Sequence, residues 1–238
     1  MFDGVLFDFN GTLLQDTPYH IKAFARIARE SFHYDMSAEE FTSVYAGLPN
    51  QEILRRMSGD TLSYEEREVL SLRKEAYYRE MVREAVPRAR LTGGAEELFG
   101  WLQKQNIPYT IVSASIRENI DFFVEWFSLR QWFDPARIIY DTGEYVSKKE
   151  MYRKAAEIMG MKHPLVFEDS LSGVSSALEI GASVIFIEGT AKLPPEYTVL
   201  ASRRDMSDCI SLLQPLLRTN RQSSTEDIQA GENSDESY

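Results

Sequence analysis

Phe7-Asp8-Phe9-Asn10-Gly11-Thr12-Leu13 continues an apolar run, Val5-Leu6-Phe7, and closes it with a carboxylate and a Gly-Thr turn. The run has the length and composition of a buried strand of a parallel sheet. In open α/β sheets ligands bind beyond the carboxyl ends of the strands, so Asp8 stands where chemistry is expected. Asp and Gly also favour turns on their own account, so the remaining strand ends carry the decision.

Downstream of this stretch the pattern is helical. Residues 16–34 place Ile21, Phe24, Ala25, Ile27 and Ala28 near helical spacing. Ser37-Ala38-Glu39-Glu40 is a capping-box pattern that predicts a second helix. Gly47-Leu48-Pro49-Asn50 interrupts it, helix resumes over 51–57, and Ser63-Tyr64-Glu65-Glu66 caps a long helix reaching about residue 84, ended by Val86-Pro87. No strand signal lies between residues 16 and 86.

From Leu91 strands and helices alternate. Helices are expected over 95–104, 117–127, 148–159 and 173–180, and strands over 109–112, 138–140, 165–167 and 183–187. This alternation predicts a doubly wound, Rossmann-like parallel α/β sheet with an all-α insertion after its first strand. The expected domains are a discontinuous core (1–15 and 90–218), a helical cap (16–89) and an acidic tail (219–238). The tail is rich in Ser, Glu, Asp, Asn and Gln, too polar to offset the entropy of ordering, and is expected to be disordered.

Three further strand or helix ends carry polar groups of suitable kinds. Ser113, followed by Ala114, ends a strand; its hydroxyl and the next backbone N–H groups suit phosphate oxygens, and a helix cap is the competing role. Lys148 and Lys149 open a helix, where the helix dipole disfavours a cation, so a role beyond solvation is favoured for one of them. Glu168-Asp169 follows a buried apolar run, and two adjacent acids there call for a cation. With Asp8 they form an oxygen-rich set suited to Mg²⁺.

The chain has 238 residues, is 43% hydrophobic and carries a net charge of −11, which suits a globular protein and argues against nucleic-acid binding. No apolar run approaches the roughly 18 residues of a membrane span. Met1-Phe2-Asp3-Gly4 leads straight into a strand, so no signal peptide is expected, and Cys209 has no partner for an internal disulfide. A cytoplasmic monomer acting on a small molecule is the expectation.

These motifs resemble, in order, those of the haloacid dehalogenase (HAD) superfamily: Asp-x-Asp-Gly-Thr for the first, Ser113 for the second, Lys148 for the third, and Glu168-Asp169-Ser170-Leu171-Ser172-Gly173 for the fourth. The third is the least specific, since Lys148 is separated from Lys149 only by its spacing to the helix. The resemblance implies a phosphatase or phosphotransferase acting on a small phosphorylated metabolite. Asp8 is then the nucleophile, Gly11, Thr12 and Ala114 line the substrate, and Mg²⁺ is held by Asp8, Glu168, Asp169 and the backbone carbonyl of Asn10.

The inserted helices resemble the cap of the subfamily that contains β-phosphoglucomutase and small sugar-phosphate phosphatases. That likeness adds His20 and Gly47 as substrate-binding candidates, with a packed structural role equally open to His20. The Gly47-Leu48-Pro49-Asn50-Gln51 loop has no cation before Arg55, which favours a monophosphate over a diphosphate intermediate.

One position departs from the family. Asn10 replaces the second Asp, the general acid/base, and an amide does not titrate near neutral pH. Loss of a positioned acid/base typically costs about 10²–10⁴-fold. The departure leaves three functions open: a slow or specialised Mg²⁺-dependent phosphatase, a phosphometabolite-binding protein, or another chemistry of the superfamily, such as a phosphonatase or a mutase. Asn10→Asp is expected to restore the acid/base, with the larger gain for alkyl phosphates.

Overall fold

β1 (Gly4–Phe7) is buried along its whole length, as small and apolar residues between two neighbouring strands require. In this computed structural model, which describes residues 1–45, 48–85, 90–189 and 191–217, β1 pairs in parallel with β2 (Tyr109–Ser113) on one side and β4 (Pro164–Glu168) on the other. β3 (Ile139–Tyr140), β5 (Ser183–Ile187) and β6 (Ala201–Arg203) complete a six-stranded parallel sheet of order β3-β2-β1-β4-β5-β6. In a doubly wound sheet of this order, the crevice where the order reverses lies beside β1 and β4.

Successive strand residues point to opposite faces, and the core divides accordingly. Val5, Phe7, Ile111, Leu165, Phe167 and Ile185 join one apolar cluster, whereas Leu6, Val112, Val166, Val184 and Phe186 join another on the far face. Helices on both faces are therefore required to cover the sheet.

Among the described residues, four α-helices are inserted after β1. α1 (Thr17–Phe32) is followed by the short α2 (Ala38–Glu40), a π turn over Phe41–Tyr45, then α3 (Asn50–Met57) and α4 (Tyr64–Glu84). Phe24, Ile27, Phe41, Ile53 and Leu54 give this insert an apolar centre of its own. Ser63 and Glu66 form the full capping box of α4, each accepting the other's backbone N–H, a device worth about 1 kcal/mol. Tyr78 and Val82 on α4 pack into the sheet's cluster beside Phe9 and Phe123, which seats the insert over the carboxyl end of β1.

α5 (Ala95–Lys104), α6 (Arg117–Trp126), α7 (Lys148–Met159), α8 (Leu171–Glu179) and α9 (Cys209–Leu213) flank the sheet. α8 starts two residues earlier than its sequence pattern suggested, because Ser170 Oγ accepts the Gly173 N–H at 3.1 Å and caps it. The Ser37 pattern caps only three α residues before the backbone widens into the π turn. β6 and α9 were not anticipated: β6 is a half-buried edge strand with no apolar run, and α9 is shorter than two turns. Among the described residues no helix is long and apolar enough to cross a membrane. The expected tail (219–238) and residues 86–89 at the end of the expected cap lie outside the described residues.

Candidate active site

Asp8 directly follows β1 and is 4% exposed. Lys148, the first residue of α7, reaches across to it with Nζ 2.7 Å from Oδ1, and donates as well to Glu168 Oε1 at the end of β4. Lys149 turns the other way and pairs with Glu179 at 2.6 Å, so Lys148 is the lysine brought to the cluster. Burial works against the Lys148 charge, but Asp8 and Glu168 outweigh it and hold the pKa above the usual lysine value.

Glu168 is wholly buried and saturated. Oε1 accepts from Lys148 and from Tyr152 at 2.9 Å, while Oε2 accepts the Asp169 and Ser170 N–H groups at 2.8 Å and the Ser170 hydroxyl at 3.0 Å. Gly173 makes the space, since a Cβ there would overlap the Glu168 carboxylate. Gly11 does the same for Asp169: it adopts φ +81, which favours glycine, and a Cβ would strike the Asp169 carboxylate. The Thr12 hydroxyl lies 3.4 Å from Asp8 Oδ2 and 3.3 Å from Asp169 Oδ1, between the two acids.

Carboxylate oxygens of Asp8, Glu168 and Asp169 lie within 4.8 Å of one another. Burial, then the charge of Glu168, raises the Asp8 pKa to about 7 against the pull of Lys148. Burial with Asp8 and Glu168 likewise raises Asp169 to about 8. One lysine does not balance three clustered carboxylates, two of them buried, and an all-oxygen donor set of this kind fits a hard divalent cation such as Mg²⁺.

Asn10 is held at both ends of its amide. Nδ2 donates to Asp16 Oδ2 at 2.5 Å and to the Tyr78 hydroxyl at 3.3 Å, and Oδ1 accepts from Ser113 Oγ at 3.3 Å and Ser115 Oγ at 2.7 Å. Asp16 is 1% exposed and also accepts from the Gly11 N–H at 3.0 Å and from the Tyr78 hydroxyl. His20 stacks on Tyr78 with ring centroids 4.1 Å apart, its Nε2 3.3 Å from Asp16 and its Nδ1 2.7 Å from Lys74 Nζ. Burial opposes the Asp16 charge, yet His20, Tyr78 and Asn10 hold its pKa below the usual aspartate value. Lys74 in turn pairs with Glu75 at 2.8 Å, and Glu75 accepts from Asn119 Nδ2 at 2.8 Å on the sheet side.

Of the residues singled out from the sequence, Asp8, Asn10, Gly11, Thr12, Ser113, Lys148, Glu168 and Asp169 therefore lie together at one edge of the sheet. His20 joins them through Asp16, and Ala114 is exposed beside Ser113. Gly47 lies outside the described residues. Asp16, Ser115, Tyr78 and the Lys74–Glu75 pair were not anticipated. Asp16 has the look of a helix cap before Thr17-Pro18, but its side chain makes no cap bond and turns back to Asn10. Tyr78 and Lys74 carry no local signal on a long polar helix.

A family profile described as haloacid dehalogenase-like hydrolase matches residues 2–181. A HAD hydrolase, family IA, variant 3, from Entamoeba histolytica superposes with a TM-score of 0.80 and 30% identity, covering 89% of this chain and 99% of that one. CbbY from Rhodobacter sphaeroides, an Asp-to-Asn mutant crystallised with xylulose-(1,5)bisphosphate, superposes with a TM-score of 0.74 and 17% identity over 87% of this chain and 96% of its own. An uncharacterized protein of Haemophilus influenzae is 23% identical over 199 residues, 82% of this chain and 95% of the relative.

Proposed function

Because the chain belongs to the haloacid dehalogenase-like hydrolases, we propose that it is a Mg²⁺-dependent phosphomonoester hydrolase or phosphotransferase working through an aspartyl phosphate on Asp8. The observation that carries this is the meeting of Asp8, Lys148 and Asp169 at the carboxyl ends of β1 and β4. The sugar bisphosphate bound by the Rhodobacter protein supports a small phosphorylated metabolite as substrate. Residues 16–89 act as the cap over a core of 1–15 and 90–218.

Asp8 Oδ2, which accepts the long Thr12 contact, is the attacking oxygen, while Oδ1 is held by Lys148. It attacks phosphorus, the bond to the leaving oxygen breaks, and the phosphoryl group rests on Asp8. Water then attacks phosphorus, releasing inorganic phosphate and the free carboxylate. Lys148 and the Ser113 hydroxyl steady the phosphoryl oxygens, and Lys148 also offsets the charge of the nucleophile. Asp8, Asp169 and the backbone carbonyl of Asn10 would hold Mg²⁺, which when bound would supply positive charge to offset that of the transferring group. Glu168 stands behind the metal ligands, with both oxygens engaged, and fixes Lys148 and the turn that carries Asp169.

Asn10 has no proton to give, so the leaving group leaves unprotonated or takes a proton from another group of the wall. The double anchoring of its amide favours a second function, a protein that binds a phosphometabolite without rapid turnover. The test is a phosphatase screen over sugar phosphates, phosphorylated acids and nucleotides with Mg²⁺. Turnover abolished by Asp8→Asn is the result expected. Full turnover in Asp8→Asn ends the aspartyl-phosphate mechanism, and metal-dependent ligand binding without turnover selects the binding function.

A further inference from the structure

Arg79 follows Tyr78 on α4 and lies where the insert meets α6. Its Nη1 donates to Asn119 Oδ1 at 2.6 Å. Asn119 is 1% exposed and gives its amide protons to Glu75 on the other side. The guanidinium is thus drawn inward, onto the same wall as Glu75, Lys74 and His20.

Direct ion pairs do not reach every cation on that wall. Lys74 is matched by Glu75, with its ammonium also donating to His20. Arg55 and Arg56 are matched by Glu52 and Asp60. Arg79, among the described residues, makes no ion pair, and a neutral amide takes one of its five donors. Burial lowers its pKa, only partly offset by the charges of Glu75 and Glu118. A half-buried cation whose direct partner is a neutral amide loses hydration, and Glu75 and Glu118 act on it without a direct ion pair in return. A ligand anion supplies that ion pair.

A short stretch of chain links the partner of Arg79 to the reaction centre. Ser115, which bonds Asn10 at the reaction centre, precedes Asn119 by four residues, a span of at most about 14 Å of chain. We propose that Arg79 binds a carboxylate at the far end of the substrate, so that the substrates are phosphorylated carboxylic acids rather than neutral phosphosugars. The proposal rests on the phosphatase reading above, which places the phosphoryl end at Asp8. A guanidinium without a direct ion pair fits an anion, and its planar fork fits a carboxylate edge.

The test pairs phosphorylated acids of two to six carbons with the phosphorylated polyol of the same length, in Mg²⁺. Turnover is measured on the wild type and Kd by calorimetry on Asp8→Asn. The best acid should be preferred over its polyol by roughly 10- to 100-fold, the size of a forked charge-assisted bond, and the preference should appear in KM and Kd. Arg79→Gln should bring the acid and polyol values together, and Arg79→Lys, which keeps the charge without the fork, should fall between. Equal values for acid and polyol in the wild type overturn the proposal. So does a preference that survives Arg79→Gln, or one undiminished in Arg79→Lys, in a folded protein, or a stronger preference for a sugar bisphosphate. Binding of both members of a pair without discrimination sinks this proposal alone, whereas binding of neither member of any pair sinks the phosphatase reading with it.

Discussion

Replacing Asn10 by aspartate alone is not a simple repair, because Asp16 occupies the other end of the same hydrogen bond. The exchange turns a donor facing a carboxylate into a second carboxylate, in a place where Asp16 is 1% exposed. Two charges about 4 Å apart at an effective dielectric of about 20 repel by about 4 kcal/mol. That corresponds to about 3 pKa units, so the pair keeps a proton between its oxygens at neutral pH. Its folded pKa then lies above that of free carboxylates. The folded variant binds the extra proton more tightly than the unfolded chain does, so its stability deficit is absent below about pH 4 and grows as pH rises through neutrality. Melting temperatures of wild type, Asn10→Asp and Asn10→Asp/Asp16→Asn between pH 4 and 8 read this directly. The gap between wild type and the single variant should widen with pH, while the double variant, in which amide and carboxylate change places, should run parallel to the wild type. On alkyl phosphates the double variant should exceed the single one, approaching the roughly 10²–10⁴-fold of a positioned acid/base. A pH-independent gap for Asn10→Asp, or a single variant as active as the double, refutes the reasoning.

Other outcomes follow from the same cluster. With Mg²⁺ chelated, the raised pKa values of Asp8, about 7, and Asp169, about 8, mean that the folded protein holds protons the unfolded chain has released. Stability should then fall as pH rises from about 4 towards 8, and saturating Mg²⁺ should flatten the slope in a thermal melt. Gly173→Ala should push the Glu168 carboxylate off Lys148, costing about 1–3 kcal/mol in chemical denaturation and most of any phosphatase activity. Mg²⁺ with a phosphate mimic should protect residues 16–89 from limited proteolysis, as expected of a cap that closes over its ligand; identical digestion patterns with and without them count against closure.

Much of this molecule is written locally. The strands are continuous apolar runs, the long helix opens on a complete capping box, and the first and fourth motifs sit at strand ends where residue type alone marks them. Lys148 could be preferred to Lys149 only by spacing, and the side-chain directions settle the matter: one donates to Asp8, the other to Glu179. What escaped is long-range. Asp16 carries the signature of a helix start, and only the approach of Asn10 and Tyr78 reveals its other use. Lys74, Glu75 and Arg79 lie on a helix that is polar on most sides, so no periodicity separates those that face the core from those that face water. β6 gains its strand identity from pairing with β5, not from its own side chains.

The central place of β1 has a consequence for how the protein is made. Asp8 meets Lys148 across 140 positions of sequence, and Thr12 meets Asp169 across 157. Contacts so distant form slowly, since each requires a long loop to close, whereas the helices inserted after β1 pack largely on one another. A chain emerging from the ribosome therefore exposes its nucleophile first and completes the insert next. It assembles the reacting cluster only when β4 slides in beside β1, so chemistry waits until β4 and Asp169 have been synthesised.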